Sequence, residues 1–129
     1  ADIQINIEND QTELSGHLEP IHEFLRDAKE AGVNIGYVYD LGNWAFTKGD
    51  AVKSAETLAP YTDYVHFKNA AETDNGLTVT DDLAEGLFDW EKIYQAFDAD
   101  VDVALEFPMM TDDQIAAQVT MLRRAMEVR

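Results

Sequence analysis

Four short runs of apolar, β-branched and aromatic residues recur along the chain, at Ile3–Ile7, Asn34–Tyr39, Asp63–Phe67 and Val101–Phe107, and helix-like stretches separate them. Each run has the length and the Ile, Val, Tyr and Phe content of a strand. After the first, Leu18, Ile21, Leu25 and Ala28 recur at three- to four-residue spacing, and Gly32 stands where a helix would end. Val52, Ala55, Leu58 and Ala59 form a second stripe, stopped by Pro60. Asp89 reads as the N-cap of a third helix, with Ile93, Ala96 and Phe97 on one face. Thr111 with Gln114 resembles a capping box, and Ile115, Val119, Leu122 and Met126 continue a fourth. The order is therefore βαβαβαβα. It predicts an α/β fold, one domain over residues 1–129, with parallel strands joined by right-handed crossovers.

The connections are unequal in a way that bears on function. Helix-to-strand links are short (Gly32–Val33, Pro60–Thr62, Asp98–Asp100), whereas the strand-to-helix segment Asn69–Phe88 is long for a compact domain unless it has a use. In β/α barrels the working loops follow the strands, so the C-terminal end of the sheet is the place to look. Four units make half of an eight-unit barrel. An open four-stranded sheet has two bare edges, so partner strands are expected, from a second copy in a homo-oligomer or from an N-terminal half-barrel.

Composition excludes several classes. The chain is 46% hydrophobic, with 2 Trp, 5 Tyr and 6 Phe, which suits a packed core rather than disorder. Its net charge is −17, which opposes binding to nucleic acid or to anionic membranes, since both depend on Lys and Arg. There is no cysteine, so thiolate metal sites and disulfides are absent. No apolar run approaches a membrane span and no export signal opens the sequence, which makes the cytoplasm the expected location.

Each strand run ends with one ligand-type residue: Glu8, Asp40, His66 and Glu106. Strand side chains alternate between faces. If Ile3, Ile5 and Ile7 face the helices, then Glu8 faces the other way, and the same parity sends Asp40, His66 and Glu106 to that face. Three carboxylates and an imidazole at one level form a hard, oxygen-rich set suited to Mn²⁺, Mg²⁺ or Co²⁺, with Zn²⁺ a further candidate. A single Glu or His at a strand end is ordinarily a solvated or hydrogen-bonded residue. Four in equivalent positions on successive strands point to a shared cation.

The segments Ile7-Glu8-Asn9, Tyr39-Asp40-Leu41-Gly42-Asn43, Tyr64-Val65-His66-Phe67-Lys68-Asn69 and Leu105-Glu106-Phe107-Pro108 resemble four successive strand ends of the xylose-isomerase-like TIM-barrel superfamily. Ala59-Pro60-Tyr61 and Gly86 with Phe88-Asp89-Trp90 are similar to that group as well. The resemblance spans nearly the whole chain and corresponds to strands five to eight of the barrel. It implies an isomerase or epimerase acting on a small sugar or sugar phosphate, with Glu8, Asp40, His66 and Glu106 holding one divalent metal. It further implies that Glu8 and Glu106 are the catalytic acid/base groups, working through an enediolate. A metal-bound carboxylate is a weaker base, so either one ligand is loosely held or a second base exists.

Many relatives place a His three residues after the second strand's Asp; Asn43 stands there and can hydrogen-bond a hydroxyl but not shuttle protons. Asn43, Lys68 and Trp44 are the expected substrate-binding residues, with Trp44 and Phe46 forming an apolar wall. His17 and His22 read as surface residues. Apurinic-site endonucleases share the barrel, but need additional His ligands and a basic face. Metal-dependent dehydratases are a nearer alternative, because their reaction also begins with proton abstraction beside a carbonyl. A half-barrel without catalysis of its own is a third reading.

Overall fold

The computed structural model describes residues 2–129. Its elements run β1 (Ile5–Glu8), α1 (Leu18–Glu30), β2 (Ile35–Asp40), α2 (Asn43–Phe46), α3 (Ala51–Leu58), a 3-10 turn at Ala59–Tyr61, β3 (Thr62–Phe67), β4 (Ala70–Thr73), β5 (Gly76–Val79), α4 (Trp90–Tyr94), β6 (Asp102–Leu105) and α5 (Asp112–Glu127). The helix boundaries follow from local chemistry. Gly32, at φ +72°, ends α1 in the left-handed region that glycine enters without strain. Asp50 caps α3 and Asp89 caps α4, each carboxylate accepting the backbone N–H three residues on. At α5 the Thr111 hydroxyl accepts from Gln114 N–H, and the Gln114 amide oxygen accepts from Met110 N–H at 2.7 Å, one residue further out than a standard capping box.

The expected α/β architecture is present. Four parallel strands lie in the order β1-β2-β3-β6, and a separate antiparallel hairpin pairs β4 with β5. Between β2 and β3 the register slips: Tyr37 is opposite Thr62, Val38 is opposite Tyr64, and Asp63 is passed over. That slip brings Asp40 level with His66. Tyr37, Tyr39, Val65 and Phe67 are fully buried on one face, in a single cluster with Ile21, Leu25, Leu58, Ile93, Tyr94 and Leu122 from the helices. Phe67 meets Trp90 and Tyr94 edge-on, with ring centroids 5.6 and 5.3 Å apart. Such contacts add roughly 0.5–1.5 kcal/mol per pair beyond simple burial. This dense packing fixes which strand face turns toward the helices and so which face is left for polar side chains. Val38, Tyr64 and Ala104, on that second face, are only half-buried.

The elements depart from expectation at several points. The first and last strands are shorter than the runs Ile3–Ile7 and Val101–Phe107, at four residues each, and the first is displaced to end on Glu8. The segment after β3 is not a plain loop. Asn69, wholly buried, donates to Leu83 and Phe88 carbonyls and accepts from Ala70 and Phe88 N–H, pinning the β4–β5 hairpin to the end of β3. Helix α4 stops at Tyr94, so Ala96 and Phe97 follow it, though Phe97 still packs on Tyr39 at 5.0 Å. On α5 the buried residues are Gln118, Leu122 and Ala125, while Ile115 and Met126 are 41% and 44% exposed. No helix among the described residues is long and apolar enough to cross a membrane.

Candidate metal centre

Parity along the strands determines the site. With Tyr37, Tyr39, Val65 and Phe67 turned into the helix-side core, the alternate residues Asp40 and His66 must emerge on the other face. Glu8 ends β1 and Glu106 follows β6 directly, its N–H hydrogen-bonded to the Phe67 carbonyl. One ligand atom from each of Glu8, Asp40, His66 and Glu106 lies within 4.8 Å of the others. The four residues singled out from the sequence therefore converge.

Within the cluster the side chains sort into two groups. His66 Nδ1 is 3.0 Å from a Glu8 carboxylate oxygen, while Asp40 Oδ2 and Glu106 Oε2 lie at 3.9 and 3.6 Å from the same nitrogen. The Lys68 ammonium sits 3.0 Å from Asp40 Oδ2 and 3.0 Å from Glu106 Oε2. Asp40 is fully buried; its Oδ1 accepts from Asn43 N–H, and its Oδ2 is paired with the Lys68 ammonium. Burial, together with a hydrogen bond shared with Glu106, pushes Asp40 up to about 8 despite Lys68. Glu106 stays below the usual carboxylate range: burial would raise it, but the bond to Asp40 and the lysine charge prevail. Of the two carboxyl groups, Asp40 is therefore the one that keeps a proton more readily.

Three carboxylates and an imidazole gathered this closely, with one lysine to balance them, fit a divalent cation. The donors are hard, and the ion would offset the mutual repulsion of the carboxylates. Glu8, Asp40, His66 and Glu106 are the residues that could hold it.

The expected substrate-binding residues are placed differently from one another. Lys68 is in the cluster, engaged as an ion pair. Asn43 lines the depression of about 470 Å³ that opens beside the cluster, along with Glu8, Asn9, Gln11, Lys68 and Glu106. Its amide is already committed, donating to the Asn9 carbonyl and accepting from Gln11. Trp44 is a correction. It is wholly buried beside Tyr39, with ring centroids 6.0 Å apart and Gly49 close against the indole, and it does not line that depression. The reason is that α2 starts immediately after β2, and its second residue turns back into the apolar layer. Phe46 is half-buried and also absent from the depression's lining.

The sequence reading missed Asn9 as a site-building residue. It is fully buried, and its amide bonds both backbone polar groups of Asp40 and the Tyr37 hydroxyl. The only signal in the sequence was an Asn directly after a strand-end Glu, repeated as Asn69 after Lys68.

No protein-family model matches the sequence, and no curated protein matches it. Among solved structures, the chain is similar to the probable 3-DHS dehydratase AsbF from Bacillus anthracis, involved in petrobactin synthesis. The TM-score is 0.75 at 21% identity, over 94% of this chain and 49% of that one. The chain spans about half the length of that protein. Its fold is that of one half of a TIM barrel: four parallel β/α units, with the acidic and His side chains gathered at the strand ends.

Proposed function

We propose that this chain carries the divalent-metal centre of an enzyme that moves a proton at carbon next to a carbonyl, in a small polyhydroxylated substrate. The observation behind this reading is the convergence of Glu8, Asp40, His66 and Glu106 within 4.8 Å of one another at the strand ends. A bound divalent ion supplies polarisation of the carbonyl and stabilisation of negative charge on oxygen. Glu106 is the proposed proton-transfer group, since it is half-exposed and borders the depression beside the cluster. Glu8, paired with His66, is the second carboxylate at the opposite side of the cluster. Asn43 and Lys68 border the depression where substrate hydroxyls would lie. The primary reading is an isomerase or epimerase of sugars or sugar phosphates.

A dehydratase is the second reading, and the similarity to AsbF favours it. Both reactions begin with the same proton abstraction and differ in what leaves next. Incubation in D₂O with Mn²⁺ and either a candidate ketose or 3-DHS separates them. Deuterium entering the ketose beside its carbonyl supports isomerisation, and loss of water from 3-DHS supports the dehydratase. Neither outcome, with Mn²⁺ bound, would leave a metal site without this chemistry.

The proposal includes four more β/α units, from a second copy or an N-terminal half-barrel. Strands β1 and β6 are the sheet edges. Apolar side chains stand uncovered at both: Ile5 on β1 itself, and Met126 at the other, where a hollow of about 640 Å³ lies between β6 and α5. Exposed parallel edges of this kind are normally paired or covered. Solution scattering that showed a stable monomer with both edges bare would contradict this part.

A further inference from the structure

We infer that Lys68 is the built-in counter-ion of the carboxylate cluster and competes with the divalent cation for the same oxygens; this rests on the metal-centre reading above. The oxygens that approach His66 Nδ1 most closely from Asp40 and Glu106 are Oδ2 and Oε2, at 3.9 and 3.6 Å. Those are the two atoms the Lys68 ammonium holds, each at 3.0 Å. An ion shared by His66, Asp40 and Glu106 must therefore take over atoms that Lys68 already neutralises. The lysine is not a loose surface chain. Its side chain is only 12% exposed, and its stem passes directly over Gly42, where an added Cβ would lie 2.6 Å from Lys68 Cγ. Gly42 has an ordinary φ of −68°, so glycine is required there for space and not for conformation.

Charge explains what the arrangement achieves. Three carboxylates and one ammonium carry a formal charge of −2 when His66 is neutral and all carboxylates are ionised. A divalent cation brings that set to neutrality. Without Lys68 the loaded set would keep one negative charge and repel a substrate oxygen on which negative charge develops. Lys68 thus weakens metal binding and in return leaves a neutral loaded site that tolerates an oxyanion.

The test is Mn²⁺ affinity by calorimetry at fixed pH on the intact protein, for the parent, Lys68→Met, Lys68→Arg and Gly42→Ala. Lys68→Met should bind Mn²⁺ about tenfold more tightly or better. Lys68→Arg should stay near the parent, and Gly42→Ala should shift in the direction of Lys68→Met. Unchanged or weaker binding by folded Lys68→Met would overturn the inference, because Lys68 would then orient the ligands rather than compete for them. Should Lys68→Met not fold, the parent gives the answer by NMR. Stoichiometric Mg²⁺ should move the Lys68 Cε resonance, assigned by its loss in Lys68→Arg, and an unmoved resonance with Mg²⁺ bound refutes competition. A parent that binds no divalent ion removes the metal-centre reading itself, a result distinct from either of these.

Discussion

The side-chain amide of Asn9 grips the backbone of Asp40 at both ends: Oδ1 accepts the Asp40 N–H at 2.9 Å and Nδ2 donates to the Asp40 carbonyl at 2.9 Å. The parallel ladder between β1 and β2 extends to Glu8 opposite Val38, and the Asn9 amide adds one more rung with a side chain in place of backbone. Asn9 Oδ1 also accepts from the Tyr37 hydroxyl at 2.6 Å. Glu8, the residue before Asn9, and Asp40 are thereby tied together. Asn9→Ala leaves buried polar groups unpaired, at about 1–3 kcal/mol each. Chemical denaturation should show a loss of roughly 2–4 kcal/mol for the variant. Calorimetry should show weaker Mn²⁺ binding even where the variant is still folded. Parent-like affinity in folded Asn9→Ala would mean that the strand ends hold their ligands without it.

Asp40 and its amide counterpart should separate stability from metal binding. In the metal-free protein Asp40 is buried and protonated near neutral pH, so Asn is close to an isosteric, equally neutral replacement. Asp40→Asn should therefore melt at or above the parent temperature without metal. Its Mn²⁺ affinity should fall by at least the roughly 10–100-fold expected for disturbing even an outer-shell partner. Excess Mn²⁺ should then recover much of any activity. A drop in metal-free melting temperature with unchanged affinity would reverse this assignment.

The four-unit order was legible in the sequence because buried strands of a parallel sheet are near-continuous apolar runs, and because Asp89 and Thr111 mark helix starts plainly. The ligand set was legible for a related reason: strand period fixes side-chain direction as soon as one face is known to be buried. Other features depended on tertiary contacts that no local pattern encodes. Hairpin β4–β5 is an exception: Asp74-Asn75-Gly76 was a local turn signal that the sequence reading passed over, while the anchoring of the following loop by Asn69, through the Leu83 and Phe88 carbonyls, was not encoded locally. Trp44 resembled a pocket wall because it follows a strand end. Its burial comes from α2 starting at once and from Gly49 making room for the indole. Lys68 was readable as a substrate-binding candidate, but its pairing with two carboxylates from other strand ends was not.

The cluster makes stability depend on pH in a direction opposite to that of most carboxylates. Burial pushes Asp40 up to about 8 when folded, against an ordinary 3.8. Between those values the native state holds a proton that the unfolded chain has lost, so stability falls as pH rises from about 4 to about 8. The fall amounts to a few kcal/mol, on the order of 1.4 per pH unit at its steepest. Bound metal replaces that proton. Mn²⁺ binding near pH 7 should therefore release about one proton per site. Calorimetry in buffers of different ionisation enthalpy measures this directly, and metal-saturated protein should show a much flatter stability profile. Zero proton release at pH 7 would place Asp40 among the ionised carboxylates in the free protein.

Glu106 offers the most direct test of chemistry. Its side chain is half-exposed, faces the depression beside the cluster, and remains ionised while Asp40 holds the shared proton. Glu106→Gln preserves shape and one coordinating oxygen but removes most of the basicity. It also removes one charge from Lys68, which keeps Asp40 as a partner at 3.0 Å, so the fold should survive. Metal affinity should weaken modestly. Proton exchange at the carbon beside a substrate carbonyl should fall by about 10²–10⁴-fold, the size of a lost general base. The informative comparison is exchange measured by NMR at saturating Mn²⁺, on the assembled protein, in parent and variant. Loss of exchange at full metal occupancy assigns Glu106 to the proton transfer. Full exchange in the variant would reduce Glu106 to a ligand and shift the role to Glu8, whose carboxylate lies on the other side of the cluster and is paired to His66 at 3.0 Å.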